Sequence, residues 1–208
     1  MRAGESLVEM DTTKLKQILT ETEIDFSKKI VSGLSISDLD EIAISNFKSL
    51  WIKKSNRNEY LNFTNEKTLQ STGLLTNDGL NYASLILFGK KERISSLLPC
   101  SEIIFEWRQD SKKISHDYRI SWREPFFKIY GDVWNTINAR NIRYPFQEGF
   151  FQREIFAFNE KSIREALLNA VAHRDYSISG RSIIIKASPE EFFIESPGGF
   201  PPGINSQN

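Results

Sequence analysis

The sequence has little of the chemistry that disulfides or zinc sites require: one cysteine and two histidines in 208 residues. A single cysteine, Cys100, excludes an internal disulfide and is typical of a reducing cytoplasm. Two histidines beside one cysteine also argue against a structural zinc site. We therefore expect a cytoplasmic protein whose fold depends on its hydrophobic core.

An excess of charge and a long apolar run are also missing. Lysine plus arginine and aspartate plus glutamate both number 27, so the formal net charge is zero. This balance gives no overall attraction to DNA or to an anionic membrane, and it disfavours direct DNA binding by this chain. No run of about 18 apolar residues and no signal-like start is present, so we expect no membrane partner. The sequence also has no G-x-x-x-x-G-K-[ST] loop, which a motor helicase would need.

The most informative segment is FNEKSIREALLNAVAHRDYS, residues 158–177. It predicts a helix with Asn159 as its N-cap and Glu160 in the first turn, where the helix dipole favours an acid. An apolar stripe recurs at three- and four-residue steps: Ile163, Ala166, Leu167, Ala170 and Val171. The opposite side carries Ser162, Glu165, Asn169 and His173. Taken alone, these four residues are as expected for the solvated face of an amphipathic helix.

Two short strands and a glycine turn follow this helix. Residues 181–187 form a β-branched run, and residues 191–195 are its predicted hairpin partner. The loop SPGGFPPG, residues 196–203, combines two adjacent glycines with three prolines. Such a loop is stiff and has positions free to adopt positive φ, which lets backbone N–H groups approach a ligand.

The order REALLNAVAHRDYS, two strands, then ESPGGFPPGI resembles bacterial and archaeal proteins labelled RecG-related ATP-dependent DNA helicases or Schlafen AlbA-domain transcriptional regulators. The resemblance extends along most of the chain, including GLSISDLD, LILFGK, EIIFEWR and QEGFFQREIFAFNEKSIREAL. It implies a C-terminal divergent ATPase domain of the GHKL type, the superfamily of gyrase, histidine kinases and mismatch-repair ATPases. It also implies ATP and Mg²⁺ as ligands.

The resemblance assigns roles to individual residues. Glu165 matches the acid of the first ATP box, which acts as general base on the attacking water. Asn169 matches the asparagine that ligates Mg²⁺, a hard cation that takes few protein ligands and suits a carboxamide oxygen. His173, Arg174 and Asp175 match the His-Arg-Asp signature of the family, which we place in the nucleotide site without a defined role.

The second ATP box departs from the superfamily pattern. That box is Asp-x-Gly-x-Gly, and its aspartate recognises the adenine amino group. Here the corresponding loop is Ser196-Pro197-Gly198-Gly199, with no aspartate at its start. Ser196 would offer a hydroxyl, and Gly198 and Gly199 would place backbone around the nucleotide. The glycine-rich lid of the superfamily would lie beyond Asn208, so whether this chain hydrolyses ATP stays open.

We expect an α+β protein: a helical N-terminal connector over residues 1–80, followed by a partial GHKL-like α/β sandwich with a mixed sheet over residues 81–208. Residues 1–22 resemble the tail of an upstream AlbA-type domain, which would bind DNA. Further predicted elements are helices at 37–54, 65–74, 90–98 and 123–141, paired strands at 101–108 and 115–122, and a strand-like segment at 146–156. The apolar run at 82–89 fits either a buried strand or a helix leading into one. A basic cluster, Lys53, Lys54 and Arg57, fits a solvated helix end better than a phosphate site.

The expected function is Mg²⁺-ATP binding, with hydrolysis left open, in a DNA-associated transcriptional regulator. The alternative is a non-catalytic interaction or dimerisation module that keeps a degenerate ATPase fold, which the missing aspartate favours. Self-association is left open.

Overall fold

The computed structural model describes residues 25–199 and has an α+β architecture, as the sequence predicts. Four helices precede the central sheet: α1 (Glu41–Ser55), α2 (Asn65–Ser71), α3 (Tyr82–Phe88) and α4 (Lys91–Leu97). Two further helices, α5 (Phe126–Asn138) and α6 (Glu160–Ala172), lie in the second half. None of the helices in the described part has the length and apolar character to cross a membrane. Residues 1–22, which resemble the tail of an AlbA-type domain, lie outside the described residues.

Three sets of strands occur. A short pair, β1 (Leu75–Thr76) and β2 (Gly79–Leu80), follows α2. The central sheet contains β3 (Ile103–Trp107), β4 (Tyr118–Trp122), β7 (Ile183–Ala187) and β8 (Phe192–Glu195) in the order β4-β3-β7-β8. A separate hairpin is formed by β5 (Arg143–Glu148) and β6 (Phe151–Phe156).

The central sheet is mixed, and its register separates an apolar from a polar face. Strands β3 and β7 are parallel, with Phe105 opposite Ile185, whereas β4 and β8 are antiparallel to their neighbours. Side chains alternate between the two faces of a strand. One face is buried: Ile103, Phe105, Trp107, Ile183, Ile185 and Ala187. The other face carries ion pairs such as Arg119–Glu106 and Lys186–Glu195. Helix α6 packs against β8, and its buried residues join the apolar core of the sheet.

The helical half and the sheet half share one hydrophobic core. Phe47 of α1 packs against Phe127 of α5, with ring centroids 4.9 Å apart. Lys128 of α5 pairs with Asp40, the N-cap of α1, at 3.1 Å. Buried residues on both sides of residue 80 belong to the same core cluster. The division into two regions at residue 80 stays a prediction.

The hairpin β5–β6 extends the strand-like segment that the sequence predicts at 146–156. Every residue of both strands is exposed, including the aromatic side chains of Phe146 and Phe151. Asn141 holds the end of the hairpin to the start of α6 by accepting from Phe158 N and donating to Phe158 O, at 2.9 and 2.8 Å.

The structure decides one open alternative and corrects one expectation. Residues 82–88 are a helix, one of the two structures that the sequence allowed, and Asn81 caps it by accepting from Ser84 N at 3.0 Å. The apolar pattern of the predicted helix 37–54 places Ile42 and Leu50 on its buried side, yet they are 61% and 40% exposed. The buried stripe of α1 lies instead on Ala43, Ile44 and the half-buried Phe47.

A pair of glycine substitutions tests the packing of the helical half. A Cβ at Gly89 would lie 2.6 Å from the carbonyl oxygen of Leu85, whereas a Cβ at Gly131, within α5, meets nothing within 4 Å. We expect Gly89→Ala to destabilise the protein by about 2 kcal/mol or more through overpacking. The matched control Gly131→Ala should stabilise it by about 0.5–1 kcal/mol, because alanine is the better helix former. Urea unfolding of both variants measures the difference, and equal effects would contradict the packing at Gly89.

Candidate functional site

The site is built around α6, and the sequence predicts this helix closely. Asn159 caps it, with its side-chain oxygen accepting from Ser162 N at 3.2 Å. The apolar stripe is buried at Ile163, Leu167, Ala170 and Val171, with Ala166 half-buried. Glu165 and Asn169 are exposed. Since they are one helical turn apart, about 6 Å along the axis, their side chains leave the same face of α6.

Glu165 and Asn169 line a groove of about 1320 Å³ between α6, α5 and α1. The α6 wall also includes Asn159 and Lys161, and Tyr130 and Gly131 of α5 contribute to the lining. The lining combines the carboxylates of Glu160 and Glu165 with carboxamides and lysine ammonium groups, which suits a polar ligand that carries a metal ion.

Arg164, the cation next to Glu165 in the sequence, contacts other side chains. The Nε atom of Arg164 lies 2.8 Å from Oε1 of Glu160. Its guanidinium also covers the rings of Tyr130 and Trp134, at 4.7 and 5.7 Å from their centroids. Arg164 thus braces α6 against α5, and the Glu165 carboxylate remains available to a ligand or a water molecule.

The glycine loop lies against the C-terminal end of α6. Ser196 Oγ donates to the carbonyl of Ala170 at 2.8 Å. Asp175 N donates to the carbonyl of Pro197, also at 2.8 Å. Gly198 has φ +134°, where a Cβ would come within 3.2 Å of the Asp175 Cβ. Glycine is required there both by the backbone conformation and by the close approach of the two loops.

The His-Arg-Asp segment divides into one buried and two exposed residues. His173 is the exposed C-cap of α6, and its N–H donates to the carbonyl of Asn169 at 2.9 Å. Asp175 is exposed and accepts from Ser177 N at 2.9 Å, which shapes the next turn. Arg174 is 4% exposed and donates to the carbonyls of Asp175 and Ile178, at 2.9 and 3.2 Å, and also to that of Arg181.

Arg174 is therefore part of the loop architecture. Its guanidinium lies over the ring of Tyr176, 4.7 Å from the centroid. Burial raises the pKa of Tyr176, whose hydroxyl donates to the carbonyl of Val171 at 3.0 Å. The resemblance places Arg174 in the nucleotide site. In the structure its hydrogen bonds go to backbone carbonyls of residues 175–181.

A second cavity, of about 790 Å³, adjoins this end of α6. Its lining includes His173, Asp175, Phe26 and Leu168, and Leu168 also lines the first groove. The two spaces therefore lie beside neighbouring parts of α6.

One acidic residue directly precedes the glycine loop. Glu195, the acid before the glycine loop, pairs through Oε2 with Lys186 Nζ at 3.4 Å. Both residues belong to the polar face of the sheet, which lies away from α6. The acid that precedes the glycine loop is therefore not on the α6 side of the sheet.

The residues fit a magnesium–nucleotide complex better than a bare metal ion. Within residues 25–199, no group of three or more histidine, cysteine or acidic side chains is placed to hold a metal. Mg²⁺ usually binds proteins through one or two ligands while phosphates and water complete its shell. Asn169 can serve as such a ligand, with Glu165 one turn away.

Sequence reasoning missed one side of the groove. Lys53 and Lys54 line it, from the last turn of α1, together with Ser49 and Leu50 of the same helix. In the sequence they form a basic cluster far from residue 165. The sequence therefore does not indicate that these lysines and Glu165 line the same groove.

Comparisons with known proteins identify the fold but no activity. The model of a family described as a domain of unknown function, DUF8451, matches residues 16–104. No curated protein matches the chain. The chain is similar in structure to the crystal structure of the DIP2311 protein from Corynebacterium diphtheriae, with a TM-score of 0.71 and 22% identity. The similarity covers 100% of this chain and 40% of the other, so the chain spans less than half the length of that protein. The family match ends before β4, and Glu165, Asn169 and the glycine loop lie outside it.

Proposed function

We propose that this chain binds Mg²⁺-ATP in the groove along α6, as part of a DNA-associated regulator and not of a motor helicase. The observation that carries the proposal is the shared exposed face of Glu165 and Asn169 above a groove, with the glycine loop hydrogen-bonded to the same helix at Ala170. The connection with DNA rests on the resemblance of residues 1–22 to an AlbA-type domain.

In this proposal each residue has a separate task. Asn169 supplies a carboxamide oxygen to the metal, which when bound neutralises and orients the phosphates. Glu165 accepts a proton from a water molecule held beside the terminal phosphate. Gly198 and Gly199 let the backbone approach the nucleoside end, near His173. The buried Arg174 keeps the 175–181 segment in position.

A thermal-shift experiment tests the binding. Mg²⁺-ATP at a hundred times its dissociation constant should stabilise the native protein by about 2.7 kcal/mol. We expect Asn169→Ala to abolish the shift that depends on Mg²⁺, because in this proposal Asn169 supplies the protein ligand of the metal. Asn135→Ala is the matched control, since Asn135 is exposed on α5 and does not line the groove. Its shift should equal that of the wild type.

Two outcomes would contradict the proposal. The first is an unchanged shift in Asn169→Ala, which would place the metal elsewhere. The second is no shift in the wild-type protein.

The second candidate function is a non-catalytic interaction module. It is favoured by Ser196, which stands where the superfamily has its aspartate and whose hydroxyl donates to the carbonyl of Ala170 at 2.8 Å. In that case the Glu165–Asn169–His173 face contacts a protein partner, and Mg²⁺-ATP produces no shift in any variant.

A further inference from the structure

The groove contains more positive charge than the α6 face supplies. Three lysines line it: Lys53 and Lys54 of α1, and Lys161 of α6. All three are exposed. Arg164, the remaining cation of the lining, is held by Glu160 and by stacking on Tyr130. The lysines are therefore the cations free to meet a ligand in this space.

A triphosphate beside Glu165 requires such cations. The carboxylate repels the phosphates, and Asn169 is neutral, so these two residues alone give an anion little stabilisation beyond the metal. Lysine ammonium groups bind phosphates as mobile point charges on flexible stems. Helix α1 forms the opposite wall of the groove and carries two such lysines, Lys53 and Lys54, in its last turn.

The position of this lysine wall is fixed by packing. Asn46 Nδ2 donates to the carbonyl of Phe127 at 3.1 Å, and Phe47 packs on the ring of the same residue. Lys128 ties the N-cap of α1 to α5 through Asp40. Helix α1 is thus held against α5, and α5 in turn contacts α6. The groove is a space between three packed helices.

We propose that Lys53 and Lys54 bind the phosphates of the nucleotide from the α1 side of the groove. This inference rests on the proposed function, and it assigns to the cluster a role that the sequence alone did not favour. The nucleotide then contacts the N-terminal helical region and α6 at once. Residues on both sides of position 80 would therefore contribute to one site.

Binding measurements with two probes test the proposal. The dissociation constants of Mg²⁺-ATP and of Mg²⁺ tripolyphosphate are measured by calorimetry for the wild type and for the double variant Lys53→Ala/Lys54→Ala. We expect both ligands to bind about 10- to 100-fold more weakly to the double variant, because each charged hydrogen bond contributes about a tenfold effect. The loss should shrink at high salt, where exposed charges are screened.

The matched control is Lys67→Ala/Lys91→Ala. These lysines are also exposed helical residues, on α2 and α4, and neither lines the groove. We expect wild-type affinity for both probes, which separates a local effect from a change in net charge.

The possible failures are distinguishable. Wild-type affinity in Lys53→Ala/Lys54→Ala, together with loss of Mg²⁺-ATP binding in Asn169→Ala, overturns the role of the lysines and leaves the proposed function standing. Equal losses in the double variant and in the lysine control also overturn it. Absence of binding of both probes to the wild-type protein overturns this inference and the proposed function together.

Discussion

Replacing Arg174 with alanine is expected to destabilise the protein by about 3–5 kcal/mol. The side chain is 4% exposed and donates to three backbone carbonyls, those of Asp175, Ile178 and Arg181. Removal leaves these acceptors without their donor and opens a void beside Tyr176. Each buried unsatisfied group costs about 1–3 kcal/mol, and the void adds to this cost.

Arg57→Ala is the control for a general effect of losing an arginine. The Arg57 side chain is 63% exposed and its Nη1 lies 3.7 Å from Glu59 Oε1, so its loss should change stability by less than about 1 kcal/mol. Urea unfolding monitored by tryptophan fluorescence provides both values. A difference of less than about 1 kcal/mol between Arg174→Ala and the wild type would show that the loop is held by other contacts.

The second large effect concerns Glu165. If Glu165 is the base, Glu165→Gln should lower Mg²⁺-dependent ATP turnover by about 100-fold or more, since general-base catalysis contributes about 10²–10⁴-fold. Affinity for Mg²⁺-ATP should remain, because the amide has nearly the same shape and does not repel phosphate. Single-turnover phosphate release and calorimetry separate the two quantities.

Glu92→Gln makes the same chemical change on the exposed surface of α4, away from the groove, and should leave turnover unaltered. Equal turnover in Glu165→Gln and the wild type would contradict the role of Glu165 as base, as would a wild-type protein that binds Mg²⁺-ATP without hydrolysing it.

The sequence predicts an element well where its apolar periodicity and its capping residues indicate the same structure. Helix α6 is the clearest case, since the cap at Asn159 and the stripe from Ile163 to Val171 agree with the structure. The pairing of β3 with β4 and of β7 with β8 is also as expected. Both pairs are hairpins of alternating or β-branched residues, so the information is local.

The α3 segment was ambiguous because a short apolar run fits a buried strand or a buried helix equally well. Asn81, the residue before the run, carried the missing signal as an N-cap. Leu50 was misplaced for a different reason. It lies on the wall of the groove, and a helix that borders a groove presents apolar residues outside its buried stripe.

The α6 side of the candidate site could be predicted from the sequence, whereas the α1 side could not. Glu165, Asn169, Gly198 and Gly199 lie within 35 positions of each other, and the resemblance assigns all four to one site. Lys53 and Lys54 join them through the packing of α1 on α5, a contact between residues about 80 positions apart that periodicity does not encode. The structural role of Arg174 was likewise hidden, since its partners are backbone carbonyls.

The central claim is that the exposed face of α6 holds a metal–nucleotide complex, and nuclear magnetic resonance with Mn²⁺-ATP tests it most directly. The unpaired electrons of Mn²⁺ broaden the amide signals of nearby residues, so the affected residues locate the metal. We expect loss of the signals of Glu165 and Asn169, with those of Arg119 and Ser121 on the polar face of the sheet unchanged. Broadening centred on the acidic residues of that polar face, such as Glu106 and Glu195, or no selective broadening at all, would contradict it.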